Sequence, residues 1–363
     1  MENKFKLVLK DGRQLYGTCF GYPKKTIAEL VFNTSMVGYQ EIATDPSYKD
    51  QIVVMTYPII GSYGINEEDN ESKAVRLSGI ICKEYNDMPS NYRFTKTLNE
   101  LLEESNVPLL QGIDTRYLTR IIRDEGSQIA MICEATYSLE KALEELNNYE
   151  LPTNQVEMVS TKKKWISRTK NPKFNVVAID FGTKLNIIRC LNKSGCNVIV
   201  LPHTATVEEI LSYNPDGLFL SNGPGNPEVN INAIDVVKKL KGKLPIMGIC
   251  LGHQIICLAS GAKTYKMKFG HRGGNHPVKN LLTDKIEITS QNHSYAVLEE
   301  SIKNTSLEVT HINILDNTIE GVRDDKAKLF SVQYHPESAA GPEDSKYLFE
   351  TFTKYMNDFK KGQ

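Results

Sequence analysis

The chain has 363 residues, 40% of them hydrophobic, with 43 lysines and arginines against 44 aspartates and glutamates. Charge so evenly balanced sets up no field for nucleic acid or an anionic membrane surface, and no apolar run approaches the roughly 20 residues that cross a bilayer. The first residues, MENKFKLVLKDGRQ, lack the apolar stretch of a signal peptide, so the expectation is a cytoplasmic protein with neither membrane nor nucleic acid as partner. At this length two domains are the default. The seven cysteines, Cys19, Cys82, Cys133, Cys190, Cys196, Cys250 and Cys257, are odd in number and show no CxxC spacing. They read as reduced thiols, with no disulfide framework and no metal site.

In chain order, KFKLVLKDGRQLYG alternates apolar and polar residues around an Asp-Gly pair, which predicts a hairpin. IVVMTYPIIG and AVRLSGIIC read as buried strands, TLNELLEESN and DTRYLTRIIRDEG as helices, QIAMICEA as a strand and SLEKALEELNNY as a helix. Residues 1–150 are therefore expected to form a mixed α/β domain. The stretch 151–173 is polar, basic and bracketed by prolines, and reads as a linker in which Lys162 to Lys164 are solvated.

Over 174–360 the pattern turns regular. NVVAID, CNVIVLP, GLFLSNGPG and LPIMGI read as strands, and KLNIIRCLNKSG, TVEEILSYN and INAIDVVKKLKG as the helices between them. Such alternation specifies a mostly parallel sheet flanked by helices, with its active site beyond the carboxyl ends of the strands. The Gly223 to Gly225 turn and Cys250 both fall at such ends.

GICLGHQ sets Cys250 between Gly248 and Gly252 on a strand-to-helix turn. There a side chain is held out of the sheet, and the N–H groups of the helix start favour a thiolate. The N–H groups of Leu251 and Gly223 are candidate oxyanion donors. KLFSVQYHPES ends a strand with His335 and, two places later, Glu337, which in extended chain face the same side, so the carboxylate can orient the imidazole as base. A single cysteine after a strand is more often core, and a single HPE more often a turn; the combination is what favours catalysis.

SNGPGNP, GICLGHQ and YHPES resemble the three signatures of the class I, triad-type glutamine amidotransferases, over residues 174–358. The resemblance implies Cys250 as nucleophile, His335 as general base and acid, and Glu337 as orienting carboxylate. It places L-glutamine against Gly223, Gly225, Leu251 and Gln254. VFNTSMVGYQEIATDPSYKDQIVVMTYPIIGSYG, GIDTRYLTRIIRDEG, KFGHRGGNHPVKN and SQNHSYAV in turn resemble the carbamoyl phosphate synthase small-chain family.

That second resemblance implies a glutaminase subunit whose first domain docks on a large chain and passes it ammonia. The large chain would make carbamoyl phosphate from bicarbonate, for arginine or pyrimidine biosynthesis. ATP and Mg are then expected on the large chain, with no cofactor in this one, and no GxxxxGK[ST] loop occurs here. It also adds Ser47 and the segment after QNH, with Asn292, Ser294 and Tyr295, to the glutamine site. The family often has glycine and phenylalanine where Ser294 and Tyr295 stand. His293 reads as a structural hydrogen-bonding residue, His271 and His276 as loop structure, and Cys257 as core. An amidotransferase of another pathway and a cysteine hydrolase on the same fold are the alternatives.

Overall fold

The computed structural model describes residues 4–362, which divide into two compact units, one ending at Pro152 and the other beginning at Thr153. The predicted hairpin opens the first unit: β1 (Lys4–Leu9) pairs antiparallel with β2 (Gln14–Gly21), joined through Gly12 in the left-handed region at φ +88°. Further strands are β3 (Thr26–Asn33), β4 (Gln51–Met55), β6 (Gly79–Cys82), β8 (Pro108–Gln111) and β9 (Gln128–Glu134). They close a barrel in the order β1, β2, β8, β6, β4, β3, β9. The short β5 (Ile59–Ile60) and β7 (Glu84–Tyr85) pair beside it. Two of the first unit's helices start where capping residues stand. Thr97 forms a capping box with Glu100 ahead of Leu98–Glu104, and Asp114 accepts the Tyr117 N–H ahead of Thr115–Glu125.

The second unit is built on a ten-stranded sheet in the order β10, β12, β11, β13, β14, β19, β18, β17, β15, β16. Five central strands run parallel: β12 (Cys196–Pro202), β11 (Phe174–Asp180), β13 (Gly217–Leu220), β14 (Ile246–Ile249) and β19 (Leu329–Val332). Both of their faces are covered, which is why they read as unbroken apolar runs. Along β11, Val177 and Ile179 join a core with Ile255 and Ile256 of the helix Leu251–Ala259. Val176 and Ala178 join the opposite one, with Phe349 and Phe352 of the helix Tyr347–Lys361.

From β19 the sheet continues antiparallel through β18 (Ile319–Asp324), β17 (Glu308–Asn313), β15 (Thr264–Asn280) and β16 (Lys285–Val297). The βαβ alternation carries no sign of this extension. GHRGGNHP is also not the loop its glycines and histidines suggested but lies inside β15, paired with β16. Register shifts between Lys266 and His271 and between Gly273 and His276 interrupt its period of two, which hides the strand from a reading of alternation.

The segment 151–173 is likewise more ordered than a linker. Gln155–Val159 is helical, and β10 (Trp165–Ser167) pairs antiparallel with β12 at the sheet edge. Trp165 packs on the core there, but a three-residue strand among lysines is too short to register as a pattern. Lys162 to Lys164 are exposed.

Candidate active site

Cys250 stands between β14 and the helix Leu251–Ala259 at φ 53° and ψ −103°, a backbone strain of about 1–3 kcal/mol for a residue with a side chain. The flanking glycines make the turn feasible by close approach. A Cβ on Gly252 would lie 2.3 Å from the Leu220 carbonyl oxygen, and one on Gly248 2.7 Å from the Gly252 carbonyl carbon. Two backbone bonds clamp the turn: Cys250 N–H donates to the Val332 oxygen at 2.9 Å and Gly252 N–H to the Ser221 oxygen at 3.0 Å. The thiol is buried and points its Sγ toward the Asn292 carbonyl oxygen, 3.7 Å away.

Leu251 opens the helix, so its N–H lies beyond the reach of the intrahelical ladder and the positive end of the helix dipole faces the thiol. The glycine turn after β13 packs against this point. A Cβ on Gly223 would lie 2.3 Å from the Phe181 oxygen and 2.9 Å from Leu251 Cδ2. Gly225, at φ +87°, leaves its Cβ space to the Gln155 side chain.

Three residues beyond β19, His335 is buried and donates Nδ1–H to Glu337 Oε1 at 2.7 Å; a turn over Pro336 and Glu337, with the Ser338 N–H on the His335 oxygen at 3.3 Å, brings the pair together in place of the extended chain expected. Its backbone N–H donates to the Ser290 oxygen at 2.8 Å. Cys250 and His335 thus contact residues two apart on β16, about 7 Å along the strand. His335 Nε2 is buried with no hydrogen bond among the described residues.

Glu337 is fully buried and also faces Lys184 Nζ, 3.1 Å from Oε1. Burial alone would raise its carboxyl, but the charges of His335 and Lys184 more than offset that and hold it at about 2. Asn186 Nδ2 donates to the Glu337 carbonyl oxygen at 2.5 Å. Lys184 and Asn186 were missed in the sequence because both read as ordinary residues of an amphipathic helix. One signal was there: Lys184 is the N-cap of Leu185–Lys193, where a cation opposes the helix dipole and needs another reason to stand.

Asn292, Ser294 and Tyr295 follow one another along β16. Gln254, buried in the helix Leu251–Ala259, donates Nε2–H to the Tyr295 oxygen at 2.8 Å and to Gln333 Oε1 at 2.9 Å. Arg272 on β15 is buried and reaches Ser294 Oγ at 2.5 Å and the Phe269 oxygen at 2.8 Å. Four residues, 267 to 270, bulge opposite Ser294. Ser47 lies in the first unit, buried in the 3₁₀ turn Pro46–Tyr48, with its N–H on Asp45 Oδ1 at 2.9 Å.

Three further histidines, His271, His276 and His293, pack along β15 and β16. Burial works against a charge on His271, but Asp316 at 2.8 Å and Glu320 at 3.5 Å raise it to about 9. Burial and the His271 charge lower His276 to about 4 and His293 well below its ordinary range. His271, His293 and Glu320 hold potential ligand atoms within 4.8 Å of one another. The ring nitrogens of both histidines already meet Asp316, Gln291 or the Tyr295 oxygen, so the group holds together as an ion-paired network. Cys257 is buried behind His253, and burial pushes its thiol far up, as a core residue requires.

The strained Cys250 turn, a glycine turn and the His335–Glu337 pair lie on one α/β sheet, and the model of the family described as "Glutamine amidotransferase class-I" matches residues 177–355, which makes this sheet that of a class I glutamine amidotransferase domain. A second, "Carbamoyl-phosphate synthase small chain, CPSase domain", matches residues 7–132. Among curated proteins, the chain is 50% identical over 363 residues to the carbamoyl phosphate synthase small chain of Staphylococcus epidermidis, covering 100% of this chain and 99% of that one. It is 51% identical over 361 residues to that of Bacillus caldolyticus, covering 99% of each. The chain belongs to the carbamoyl phosphate synthase small-chain family, and is by that membership a glutamine-hydrolysing enzyme. No helix among the described residues is long and apolar enough to cross a membrane.

Proposed function

We propose that Cys250, His335 and Glu337 hydrolyse L-glutamine and that the ammonia released passes to a large chain, which makes carbamoyl phosphate in the cytoplasm. The observation that carries the reading is the strained Cys250 turn at a helix start, together with a buried His335 whose Nδ1 is fixed by Glu337 at 2.7 Å.

In this mechanism the Cys250 thiolate attacks the side-chain amide carbon of glutamine, and the oxyanion is received by the N–H groups of Leu251 and Gly223. His335, protonated at Nε2 and held by Glu337, gives that proton to the departing nitrogen. Ammonia leaves and a γ-glutamyl thioester stays on Cys250. His335 then takes a proton from water as the water attacks the thioester carbon, and glutamate and the thiolate are restored. The negative Glu337 stabilises the imidazolium in both steps.

Glutamine is held along Gly223, Gly225, Leu251, Gln254, Asn292, Ser294 and Tyr295. Gln254 serves partly through the backbone it fixes, since its amide nitrogen already holds the Tyr295 oxygen. Ser294 and Tyr295 change the side chains that family members often carry there, but leave the main-chain contacts available. The first unit docks on the large chain, where ATP and Mg act, and the product serves arginine or pyrimidine synthesis.

The test is a bypass. With the large chain present, Cys250→Ala should abolish glutamine-dependent carbamoyl phosphate formation while added ammonium still supports it, because only the thioester step depends on that sulfur. Loss of both activities while the two chains still co-elute would overturn the proposal.

A further inference from the structure

Four successive backbone N–H groups follow β11, and each has an acceptor. Phe181 N–H donates to Ser221 Oγ at 2.9 Å and Lys184 N–H to Asn222 Oδ1 at 3.2 Å. Between them, Gly182 and Thr183 donate to one oxygen of Asp180, Oδ1, at 2.9 and 2.7 Å. The other oxygen, Oδ2, accepts the Thr161 N–H at 2.7 Å. Asp180 is buried, and Gly182 turns the chain at φ +126°. The residue delivered by this turn is Lys184, whose Nζ stands 3.1 Å from Glu337.

We infer that Asp180 is a positioning residue for the triad: its carboxylate sets the 181–184 turn so that Lys184 reaches Glu337, and through Thr161 it ties that turn to the segment ahead of the sheet. The inference rests on the triad reading given above. A lysine side chain is flexible, so the place of its ammonium depends on where its Cα is anchored. The outer two N–H groups of the turn are held by Ser221 and Asn222, and the inner two have only Asp180. A carboxylate can receive donors at both oxygens, whereas an asparagine in its place must turn its NH2 toward one of the N–H edges. Asp180 reaches the chemistry by a relay, from turn to Lys184 to Glu337 to His335, so its loss should lower kcat and leave glutamine binding little changed.

The experiment is a double-mutant cycle on ammonia release, with Asp180→Asn and Lys184→Met alone and together, and Cys250→Ala as control. Asp180→Asn should reduce kcat about tenfold, with KM for glutamine changed by less than about twofold. In the Lys184→Met background the same change should cost less than about twofold. Should Asp180→Asn fail to fold, Thr161→Pro serves in its place. It removes the N–H that Asp180 accepts and, besides it, an exposed hydroxyl bond to the Lys163 oxygen away from Asp180, and Ser160, at φ −61° and ψ 144°, already has the backbone a following proline prefers. Its smaller kcat loss, about threefold, should again vanish without Lys184. Additive losses in the cycle, or a raised KM with kcat unchanged, would overturn the inference. Ammonia release that survives Cys250→Ala would instead sink the triad reading on which it rests.

Discussion

In the parallel half of the second unit's sheet the proposed catalytic residues sit at strand ends, in the glycine turn after β13 and at Cys250 after β14; in the antiparallel half the proposed substrate contacts lie along a strand, with Asn292, Ser294 and Tyr295 in β16. The first arrangement stores its specificity in backbone. Cys250 is held at φ 53° because Gly248 and Gly252 allow neighbouring chain to close on it. The second relies on charge and register: a bulge opposite Ser294, Arg272 on its hydroxyl, and a buried His271 between Asp316 and Glu320. Under the proposed function, reaction chemistry and substrate placement are thus divided between two kinds of sheet, and damage to each should be read out differently.

The largest contrast is between Cys250→Ala and Ser294→Gly. The first removes the covalent route and should cut kcat for glutamine by at least about a thousandfold. The second removes a hydroxyl but no main-chain contact, so KM should rise by no more than about tenfold with kcat little changed. Steady-state ammonia release checks both, and a kcat collapse in Ser294→Gly would break the division.

Next come two glycines. On Gly252 a Cβ would lie 2.3 Å from the Leu220 oxygen, and on Gly270, at φ +70°, 2.2 Å from the His293 oxygen. Both substitutions must move backbone, but different backbone. Gly252→Ala should displace the nucleophile and lower kcat on the order of a hundredfold. Gly270→Ala should shift β16 and raise KM by more than it lowers kcat. Identical kcat and KM changes in the two variants would show that the halves do not act separately.

The smallest effect concerns pH. His271 is raised from its ordinary 6.5 to about 9 in the folded chain, so the stability it contributes is complete below pH 6.5 and is lost as pH rises through 9. The shift is worth at most about 3 kcal/mol. The thermal midpoint of the wild type should therefore fall between pH 6.5 and 9, and His271→Gln should flatten that fall. A variant that tracks the wild type across this window would remove His271 as an ionic support of β16.

The same division decides how much was legible in the sequence. SNGPG and GICLG announce their geometry because glycine is demanded where backbones touch, and the Asp-Gly hairpin and the caps at Thr97 and Asp114 follow equally local rules. Along β15, glycines, histidines and two register shifts erase the period of two, so a strand of 17 residues looks like a loop. Lys184 escaped because its partner Glu337 is far along the chain, and only the fold reveals that the N-cap lysine is a buried ion-pair partner. Trp165 showed the reverse problem, a three-residue strand with too few neighbours to declare itself.

In the proposed mechanism one sulfur, held at the strained turn, carries the glutamyl group. Rapid quenching during glutamine turnover, followed by peptide mass spectrometry, tests it most directly. A glutamyl thioester is expected on the peptide bearing Cys250, localised to that residue and absent from Cys250→Ala. An adduct on Cys257, or glutamine turnover that continues in Cys250→Ala, would contradict it.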